Sequence, residues 1–431
     1  MRPYLLVPRF AANRLWLAAR EVPSWHIAPA RTGNVRDLVT GADLVTFTNS
    51  SPAWGFNSSG VLVQPTSNVP FIEYDPATGS ALGWRVWDAV TNLKTNSESI
   101  SAGFTQQQSI VTSDVIAAPS GAQTADLLVP NTTTASHASF NASISFSSST
   151  LYTWSFFLKA GGYTTAQFAF TSAFGNSTAW ANFILSGAGS VGFKGAGGTA
   201  GIQALPNGWY RCFLTATSGA SATTGGPVFI ALDSDRNARD PSFAGNGVDG
   251  VYAWGAQVNT GPLAPHVPTG ALTASSTADV ASITGAAFAG IWNQAAGTVY
   301  SDIRRLSAVP SGFPRAWQAS ASTSANSIQH SYYSGGQVNA ITLSGVRTAE
   351  WYPAYFAENG VRAALAFATD DASGASNGVI TGSDTSMTLP TVDRIFFGSE
   401  LGGGNYLNGY IREAAINKSR RPNANIQAMT Q

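Results

Sequence analysis

Short runs in which apolar and polar residues alternate are the feature that most restricts how this chain can fold. In the run LYTWSFFLKAG, Trp154, Phe156 and Leu158 fall on one face of an extended strand. The runs AQFAFTSAF and VFIALD show the same period, clusters of Gly, Ser, Thr and Asn separate such runs, and segments with a helical period are missing. Short strands with frequent turns predict an all-β fold made of antiparallel sandwiches or jelly rolls.

Residues 251–268, VYAWGAQVNTGPLAPHVP, divide the strand-rich sequence in two. Their first part predicts a closing strand with Trp254 inward, and their prolines predict a stiff exit because proline fixes φ. A chain of 431 residues also exceeds what one core normally holds. We therefore predict a β-sandwich over residues 97–268, a linker over 269–287 and a second β-sandwich over 288–431.

The N-terminal part of the chain has a different character. Residues 43–96 contain strand-like pieces separated by turn signals, and they predict a β-rich segment. Residues 1–42 are rich in Arg and Pro and lack a sustained period of either strand or helix. We predict an extended arm, which needs a partner surface because it cannot bury itself alone. A frayed tail is the alternative.

Composition excludes several classes of function. Charged residues make up 11% of the chain and cancel to a net charge of zero, so nucleic acid is not an expected partner. The single Cys212 cannot form an intrachain disulfide, and Arg9 and Arg14 interrupt what would be the apolar core of a signal peptide. No run of about 20 apolar residues occurs, so membrane insertion is not expected. These features predict synthesis in a cytoplasm without a signal peptide.

Longer motifs in all three strand-rich regions carry a family resemblance. The stretch DLVTFTNSSPAWGFNSSGVLVQPTSNVPFIEYDPATGSALGWRVWDAVTNL resembles an N-terminal segment of bacteriophage tail-fibre and head-spike proteins and of their relatives in gene transfer agents. The motifs YTWSFFLKAG, LPNGWYRCFLTAT and DGVYAWGAQVNTGPLAPHVPTG resemble a carbohydrate-binding-module-like domain. The motifs GTVYSDIRRL, RAALAFATDDASGASNG and FFGSELGGGNYLNGYIREAAI resemble a concanavalin A-like, laminin-G-type jelly roll.

The resemblance implies a virion protein, either a tail fibre or a head spike, that displays glycan-binding sandwiches toward the host surface. Residues 1–42 would then attach the protein to other virion proteins, and host-surface polysaccharide would be the external partner. Such proteins are usually homo-oligomers, and the resemblance favours a homotrimer. The sequence has no sustained heptad segment that would impose three-fold pairing.

Proteins bind sugars by stacking an aromatic ring on the apolar face of a pyranose while polar side chains bond the hydroxyls. Aromatic residues beside turns and glycine-rich loops are therefore the candidates. The predicted glycan-binding residues are Tyr163, Tyr332, Tyr333, Trp351, Asn405 and Tyr406, with Tyr352 following Trp351. For each of them, packing inside the fold is the alternative.

Four other aromatic residues have a different interpretation. They lie in alternating strand contexts, where large aromatic side chains are usually buried. We predict core packing for Trp154, Trp209, Tyr210 and Trp254.

One acidic loop has the spacing of the first half of a calcium-binding loop. Its candidate ligands are Asp233, Asp235, Asn237 and Asp240. Ala238 and Ala244 stand where an EF-hand needs Gly and Glu, so an EF-hand is excluded. Either a looser calcium site forms here, or the loop is solvated and neighbouring arginines pair with the acids.

We predict that the protein is not an enzyme. The sequence contains no nucleophile elbow, no zinc-protease motif and no phosphate-binding loop. Asp370 and Asp371 are adjacent, and adjacent side chains of a strand point to opposite faces, so they do not form an acid/base couple. Two alternatives stay open, a tail-spike enzyme that depolymerises polysaccharide and a purely architectural particle protein. Beyond the loop above, no cofactor is expected.

Overall fold

A computed structural model describes residues 22–141, 143–306, 312–333, 336–352 and 360–431. Their strands form two antiparallel β-sandwiches, in agreement with the predicted all-β fold. No helix in this part of the chain is long and apolar enough to cross a membrane. The predicted arm falls partly outside these ranges, because residues 1–21 are not among them.

The chain begins with short elements that precede the first sandwich. These are β1 (Trp25–Ile27), α1 (Pro29–Thr32), β2 (Thr46–Thr48), β3 (Gly55–Phe56), β4 (Leu62–Val63), β5 (Ile72–Tyr74), β6 (Ala81–Val86) and β7 (Thr91–Asn92). β3 and β4 pair with each other as a hairpin. β5 and β6 form a second hairpin through a turn at Asp75, whose carboxylate accepts hydrogen bonds from the backbone of the turn.

The next elements build the first sandwich. They are α2 (Ile100–Gly103), β8 (Thr105–Gln106), β9 (Ser109–Ala117), β10 (Gln123–Pro130), β11 (Thr134–Ala135), β12 (Ser139–Phe140), β13 (Ile144–Ser145), β14 (Leu151–Gly161), β15 (Thr165–Phe170), β16 (Trp180–Ile184), β17 (Ser190–Lys194), β18 (Gly198–Ala204), β19 (Trp209–Thr217), β20 (Thr224–Gly225), β21 (Pro227–Leu232), β22 (Phe243–Ala244) and β23 (Gly250–Thr260). Two 3₁₀ turns lie at Ser172–Phe174 and Pro206–Gly208.

Two six-stranded sheets face each other in this first sandwich, with strand orders β18-β19-β14-β23-β10-β9 and β17-β16-β15-β21-β12-β8. Their alternating apolar residues meet in one core, where the rings of Trp154 and Phe168 stack with centroids 3.9 Å apart. The predicted core aromatics are all buried, which confirms that prediction for Trp154, Trp209, Tyr210 and Trp254.

The predicted direction of Trp254 is wrong, because this side chain lies on the outer face of the sheet. There it packs with Trp209 against Phe56 and Leu62 of the β3–β4 hairpin. An irregular register opposite β14, with Gly255 at a φ of 69°, interrupts the alternation along β23 at this point. Sequence alternation alone predicts the opposite face.

The remaining elements belong to the second sandwich. They are β24 (Ala274–Ser275), β25 (Val280–Thr284), α3 (Gly285–Ile291), β26 (Ala296–Arg305), β27 (Arg315–Ser320), β28 (Ser327–Tyr333), β29 (Gly336–Leu343), β30 (Val346–Trp351), β31 (Val361–Ala368), β32 (Asp371–Ser376), β33 (Val379–Asp384), β34 (Arg394–Phe397), β35 (Gly409–Asn417) and α4 (Asn423–Met429). One sheet has seven strands in the order β2-β25-β34-β27-β28-β29-β30, and the other has the order β33-β32-β31-β26-β35-β6-β5 with β1 also paired to β35.

The second sandwich is discontinuous in sequence, and the first sandwich is inserted into it. β1, β2, β5 and β6 precede the insertion, yet their residues Trp25 and Trp84 lie in the same core as Trp317 of β27. β7 and β24 close the insertion, since Asn92 pairs with Ala274. The chain therefore leaves the second sandwich after β7, forms the whole first sandwich, and returns to the second sandwich at β24.

This topology differs from the predicted boundaries at three places. Residues 22–32 of the predicted arm supply β1 and α1, residues 43–96 supply β2, β5 and β6, and residues 269–287 supply β24, β25 and the start of α3. All three belong to the second sandwich or to its closing pair. The physical reason is that alternation identifies a strand, whereas the strand's partner is set by tertiary packing.

The proline-rich junction runs as a strap between the sandwiches. We call residues 262–267 the strap. Its carbonyl groups accept hydrogen bonds from Asn259 to Pro262, from Arg211 to Ala264, from Gln257 to Pro265, from the backbone of Trp54 to His266, and from Asn92 to Val267. The donors come from the first sandwich, from the segment before it and from β7. These bonds satisfy a buried irregular backbone that has no sheet partner of its own beyond the single bridge at His266.

Candidate functional site

Three aromatic rings meet at one end of the seven-stranded sheet. Phe313 precedes β27, Tyr333 ends β28, and Tyr352 follows β30. Because neighbouring strands of this sheet are antiparallel, the start of β27 and the ends of β28 and β30 lie at the same sheet end. The ring centroids of Tyr333 and Tyr352 are 5.4 Å apart, and those of Phe313 and Tyr333 are 6.4 Å apart. We call these three residues the aromatic edge.

The aromatic edge is accessible to solvent. Phe313 is 38% exposed and Tyr352 is 52% exposed, and Tyr333 between them is partly exposed. Single exposed apolar residues are common on protein surfaces, whereas exposed rings in mutual contact form a continuous apolar patch. Such a patch has the chemistry that stacks on the apolar face of a sugar ring.

Polar groups hold one side of the aromatic edge in position. The Asn405 Oδ1 atom accepts a hydrogen bond of 3.0 Å from the backbone N–H of Phe313, and the Asn405 carbonyl accepts one of 2.8 Å from the backbone N–H of Arg315. The Arg315 guanidinium is mostly buried and donates at 3.0 Å to a carboxylate oxygen of Glu400. Burial lowers the pKa of Arg315, and the carboxylate of Glu400 opposes that shift.

Asn405 also presents a polar group of its own. Its backbone has a φ of 46°, in the left-handed region that Asn tolerates better than most residues. Its Oδ1 atom is used internally, and no hydrogen bond within the described residues uses its Nδ2 group. An amide donor beside exposed rings is the combination that binds a sugar hydroxyl next to a stacked pyranose.

Two of the predicted glycan-binding residues, Tyr333 and Asn405, therefore lie at the same sheet end. Three others are buried. Tyr332 is 4% exposed, and its hydroxyl shares a 3.2 Å hydrogen bond with Nε2 of His330. Trp351 and Tyr406 are each 8% exposed. Burial raises the pKa of Tyr332 and of Tyr406, and none of these three rings is open for stacking on a ligand.

Tyr163 lies in the first sandwich, apart from the aromatic edge. Its ring is 6.5 Å from that of Phe243, and its hydroxyl accepts a 3.3 Å hydrogen bond from the backbone N–H of Asn246. Burial raises the pKa of Tyr163. The side chain is partly buried against the core of the first sandwich, so it supports the fold at this turn.

The residues of the predicted calcium loop have separate partners. Asp233 makes two hydrogen bonds of 2.7 and 2.8 Å with Arg236, and these lower the pKa of Asp233. Asp235 accepts from the side chain of Asn182 at 2.7 Å, whereas Asp240 accepts from the hydroxyl of Ser136.

Asn237, the fourth predicted ligand, is exposed, and among the described residues its side chain forms no hydrogen bond with the other three. Across the residues that the structure describes, no group of three or more His, Cys, Asp or Glu side chains is arranged to hold a metal ion.

Three residues of this site were missed at the level of sequence. Phe313 stands between Gly312, whose φ is 78°, and Pro314, so it lies outside a regular strand where its ring can turn to solvent. The sequence Gly-Phe-Pro was the available signal. Arg315 and Glu400 gave none, because they are 85 positions apart and an ion pair over that distance is not visible in a single sequence.

No protein-family model and no curated protein matches this sequence. Among solved structures, the chain is similar to the CBM40 domain of the Ruminococcus gnavus IT-sialidase bound to α2,3-sialyllactose, with 13% identity and a TM-score of 0.30 over 34% of this chain and 88% of that one. It is similar to domains LG4-5 of the mouse laminin α1 chain, with 10% identity and a TM-score of 0.22 over 63% and 82%. It is also similar to the Trypanosoma rangeli sialidase in complex with sialic acid, with 11% identity and a TM-score of 0.27 over 78% and 54%. These similarities are weak, and the β-sandwich assignment rests on the sheets described above.

Proposed function

We propose that this protein binds glycans through the aromatic edge of its second sandwich and has no catalytic activity. The observation that carries the proposal is the contact between three exposed or partly exposed rings, Phe313, Tyr333 and Tyr352, beside the Nδ2 group of Asn405. Rings supply stacking surfaces for pyranoses, and the amide supplies a hydroxyl partner. The site is an open surface, so each contact is weak.

Weak sites gain strength when many copies act together, because linkage raises their effective concentration. This fits a tail fibre or head spike that recognises host-surface polysaccharide, the role that the family resemblance suggests. In that role residues 1–21, which lie outside the described residues, would contact other virion proteins. We also propose a homotrimer, and the mass of the protein in solution is the measurement that checks it.

The test of glycan binding uses the full chain, host polysaccharide and a glycan array. Tyr333→Ala and Phe313→Ala should each weaken binding about 5- to 10-fold, which corresponds to the roughly 1 kcal/mol that a ring contributes by stacking. Phe193→Ala is the matched control, since Phe193 is 47% exposed and belongs to β17 of the first sandwich. Its affinity should stay at the wild-type value.

Three results would contradict the proposal in different ways. New reducing ends or shortened chains after incubation with host polysaccharide would identify a depolymerising enzyme. Retention on no glycan, in a protein that particles still need for assembly, would identify an architectural protein. Equal losses for Phe313→Ala and Phe193→Ala would move the binding site away from the aromatic edge.

A further inference from the structure

A cleft of about 700 Å³ lies between the two sandwiches. One wall is the outer face of β18 and β19, and the other is formed by β5, β6 and the ends of β26 and β35. The strap closes one side of it. The cleft is separate from the aromatic edge, and none of the predicted glycan-binding residues lines it.

An aromatic ring forms the floor of this cleft. Gly201 and Phe213 are cross-strand partners in β18 and β19. A Cβ atom built on Gly201 would lie 2.3 Å from Cζ and 2.6 Å from Cε1 of Phe213, so the ring lies across the glycine and against the sheet. The ring is partly exposed toward the cleft. Glycine at this position therefore lets Phe213 present a flat face, as an aromatic platform for a sugar does.

A buried cation that forms no ion pair among the described residues stands beside this platform. Arg211 is 8% exposed, and it lies two residues before Phe213 on the same face of β19. It donates to the carbonyl of Ala264 at 2.6 Å and lies over the ring of Phe157 at 5.4 Å, but it forms no ion pair within the described residues. Its Nε atom is buried without a hydrogen-bond partner there.

Burial lowers the pKa of Arg211 to about 10, so the side chain stays charged at neutral pH. Glu73 also lines the cleft and its charge opposes this shift, but its carboxylate is paired with Arg85 at 3.3 Å. Asp75 also lines the cleft, and its carboxylate accepts hydrogen bonds from the backbone of its own turn. A buried cation without its own anion is costly, which favours a ligand that brings one.

The opposite wall adds a second cation. Arg304 of β26 lines the cleft, and its side chain forms no hydrogen bond or ion pair within the described residues. It is the cross-strand partner of Tyr410, which also lines the cleft. Burial raises the pKa of Tyr410 well above its ordinary value, so its hydroxyl is neutral and can donate a hydrogen bond.

We propose that this cleft binds a carboxylated saccharide, with a pyranose stacked on Phe213 and its carboxylate facing Arg211 and Arg304. The exposed side chains of Gln203 and Thr199, on the same sheet face as Phe213, are positioned to bond hydroxyl groups. The class of ligand is a uronic-acid-type sugar, because it combines a pyranose face with one negative charge. This is a second site with its own residues. Experiment can therefore refute binding in the cleft while the aromatic edge binds glycans, and it can refute binding at the aromatic edge while the cleft binds its ligand.

Calorimetry on the full chain tests the charge requirement. The probes are tetragalacturonate, a hyaluronan tetrasaccharide and the carboxyl-methylated form of each. At least one acid form should bind, its methyl ester should bind at least about tenfold more weakly, and the affinity should fall as salt rises from about 50 to 500 mM. No binding by either acid, or equal binding of acid and ester, would overturn the proposal.

Substitutions then locate the binding. Phe213→Ala and Arg304→Gln change partly exposed side chains, and each should weaken binding of the acid about tenfold. Gly201→Val should do the same by displacing the Phe213 ring. Phe193→Ala, at an exposed ring outside the cleft, should leave this binding unchanged. Wild-type affinity in both Phe213→Ala and Arg304→Gln would place the ligand elsewhere and refute the site.

Discussion

His266 in the strap shows what the interface between the sandwiches demands of a single side chain. Its ring is 1% exposed and lies 5.3 Å from the Trp254 ring and 5.6 Å from the Phe157 ring. Neither ring nitrogen has a hydrogen-bond partner among the described residues. Burial, together with the smaller effect of the Arg211 charge, lowers the pKa of His266 to about 3. The His266 side chain is therefore neutral in the folded protein and packs there as an aromatic ring.

This pKa shift predicts a loss of stability in acid. The unfolded chain takes up a proton at His266 near its ordinary pKa of 6.5, whereas the folded chain does so only near 3. Stability is therefore fully present above pH 6.5 and falls below it, by at most about 1.4 kcal/mol per pH unit from this group. In His266→Phe, urea denaturation should show a shallower decline between neutral pH and about pH 4.

The comparison with wild type isolates this residue, because buried acids such as Asp279 and Asp302 titrate in both proteins. His330 also has a pKa lowered by burial, to about 4, and it remains in the variant. The variant should therefore keep part of the acid sensitivity. Parallel stability curves for wild type and His266→Phe would show that His266 protonates as easily folded as unfolded.

At the scale of elements, β1 decides whether the N-terminal region is an arm or part of the fold. Trp25 is fully buried and stacks on Phe397 with ring centroids 5.0 Å apart. Trp25→Ala should lower the free energy of unfolding of the second sandwich by about 3–5 kcal/mol, since it removes a large side chain from a closed core. Chemical denaturation followed by far-UV circular dichroism measures this change, because that signal reports the backbone and not tryptophan fluorescence.

Val22→Ala is the control for this region, because Val22 is 59% exposed and lies three residues before Trp25. Its effect should stay within about 0.5 kcal/mol, as is usual for surface positions. If Trp25→Ala changed the free energy of unfolding as little as Val22→Ala, residues 22–32 would behave as the extended arm that the sequence predicts. The pairing of β1 with β35 would then be refuted.

Sequence reasoning predicts the strands far better than it predicts their partners. The alternation in LYTWSFFLKAG matches β14, and the buried faces of Trp154 and Tyr210 follow from the same period. Nothing local in Trp25–Ile27 predicts that it pairs with Ile416 at the other end of the chain. Short strands carry little information on register, which long-range packing supplies.

The candidate site was predictable to a similar extent. Tyr332 and Tyr333 are neighbours on β28, and neighbouring strand residues point to opposite faces, so one of the two is expected to be hidden. Which one is hidden depends on the position of the second sheet. The platform at Phe213 gave no signal, because its role depends on Gly201 in the adjacent strand.

At the scale of the whole molecule, the inserted topology predicts how the chain can be divided. Asn92 pairs with Ala274, so the two ends of the insertion are already adjacent. Replacing residues 94–271 with a short Gly/Ser linker should leave a second sandwich that unfolds cooperatively. Residues 269–431 alone lack β1, β2, β5 and β6 and should fail to fold. Circular dichroism and calorimetry of both fragments check these outcomes.

The shortened chain also loses the cover over the β3–β4 hairpin, where Phe56 and Leu62 pack against the first sandwich. In the shortened chain these two side chains would be exposed. Replacing both of them with Asp or Ser removes that apolar surface. Cooperative unfolding of residues 269–431 by themselves would contradict the insertion, because it would mean that this segment holds a complete core.

The pairing of Trp25 with Ile416 also sets an order of events on the ribosome. The first strands of the second sandwich leave the exit tunnel first, but β35 follows only after the inserted sandwich and the other strands of the second sandwich have been made. At about 5–20 residues per second, this interval lasts on the order of half a minute. During that time the inserted sandwich can complete its own core, whereas Trp25 and Trp84 still lack the later strands that bury them. We therefore expect nascent chains of this protein to depend on chaperones most strongly just before β35 is made.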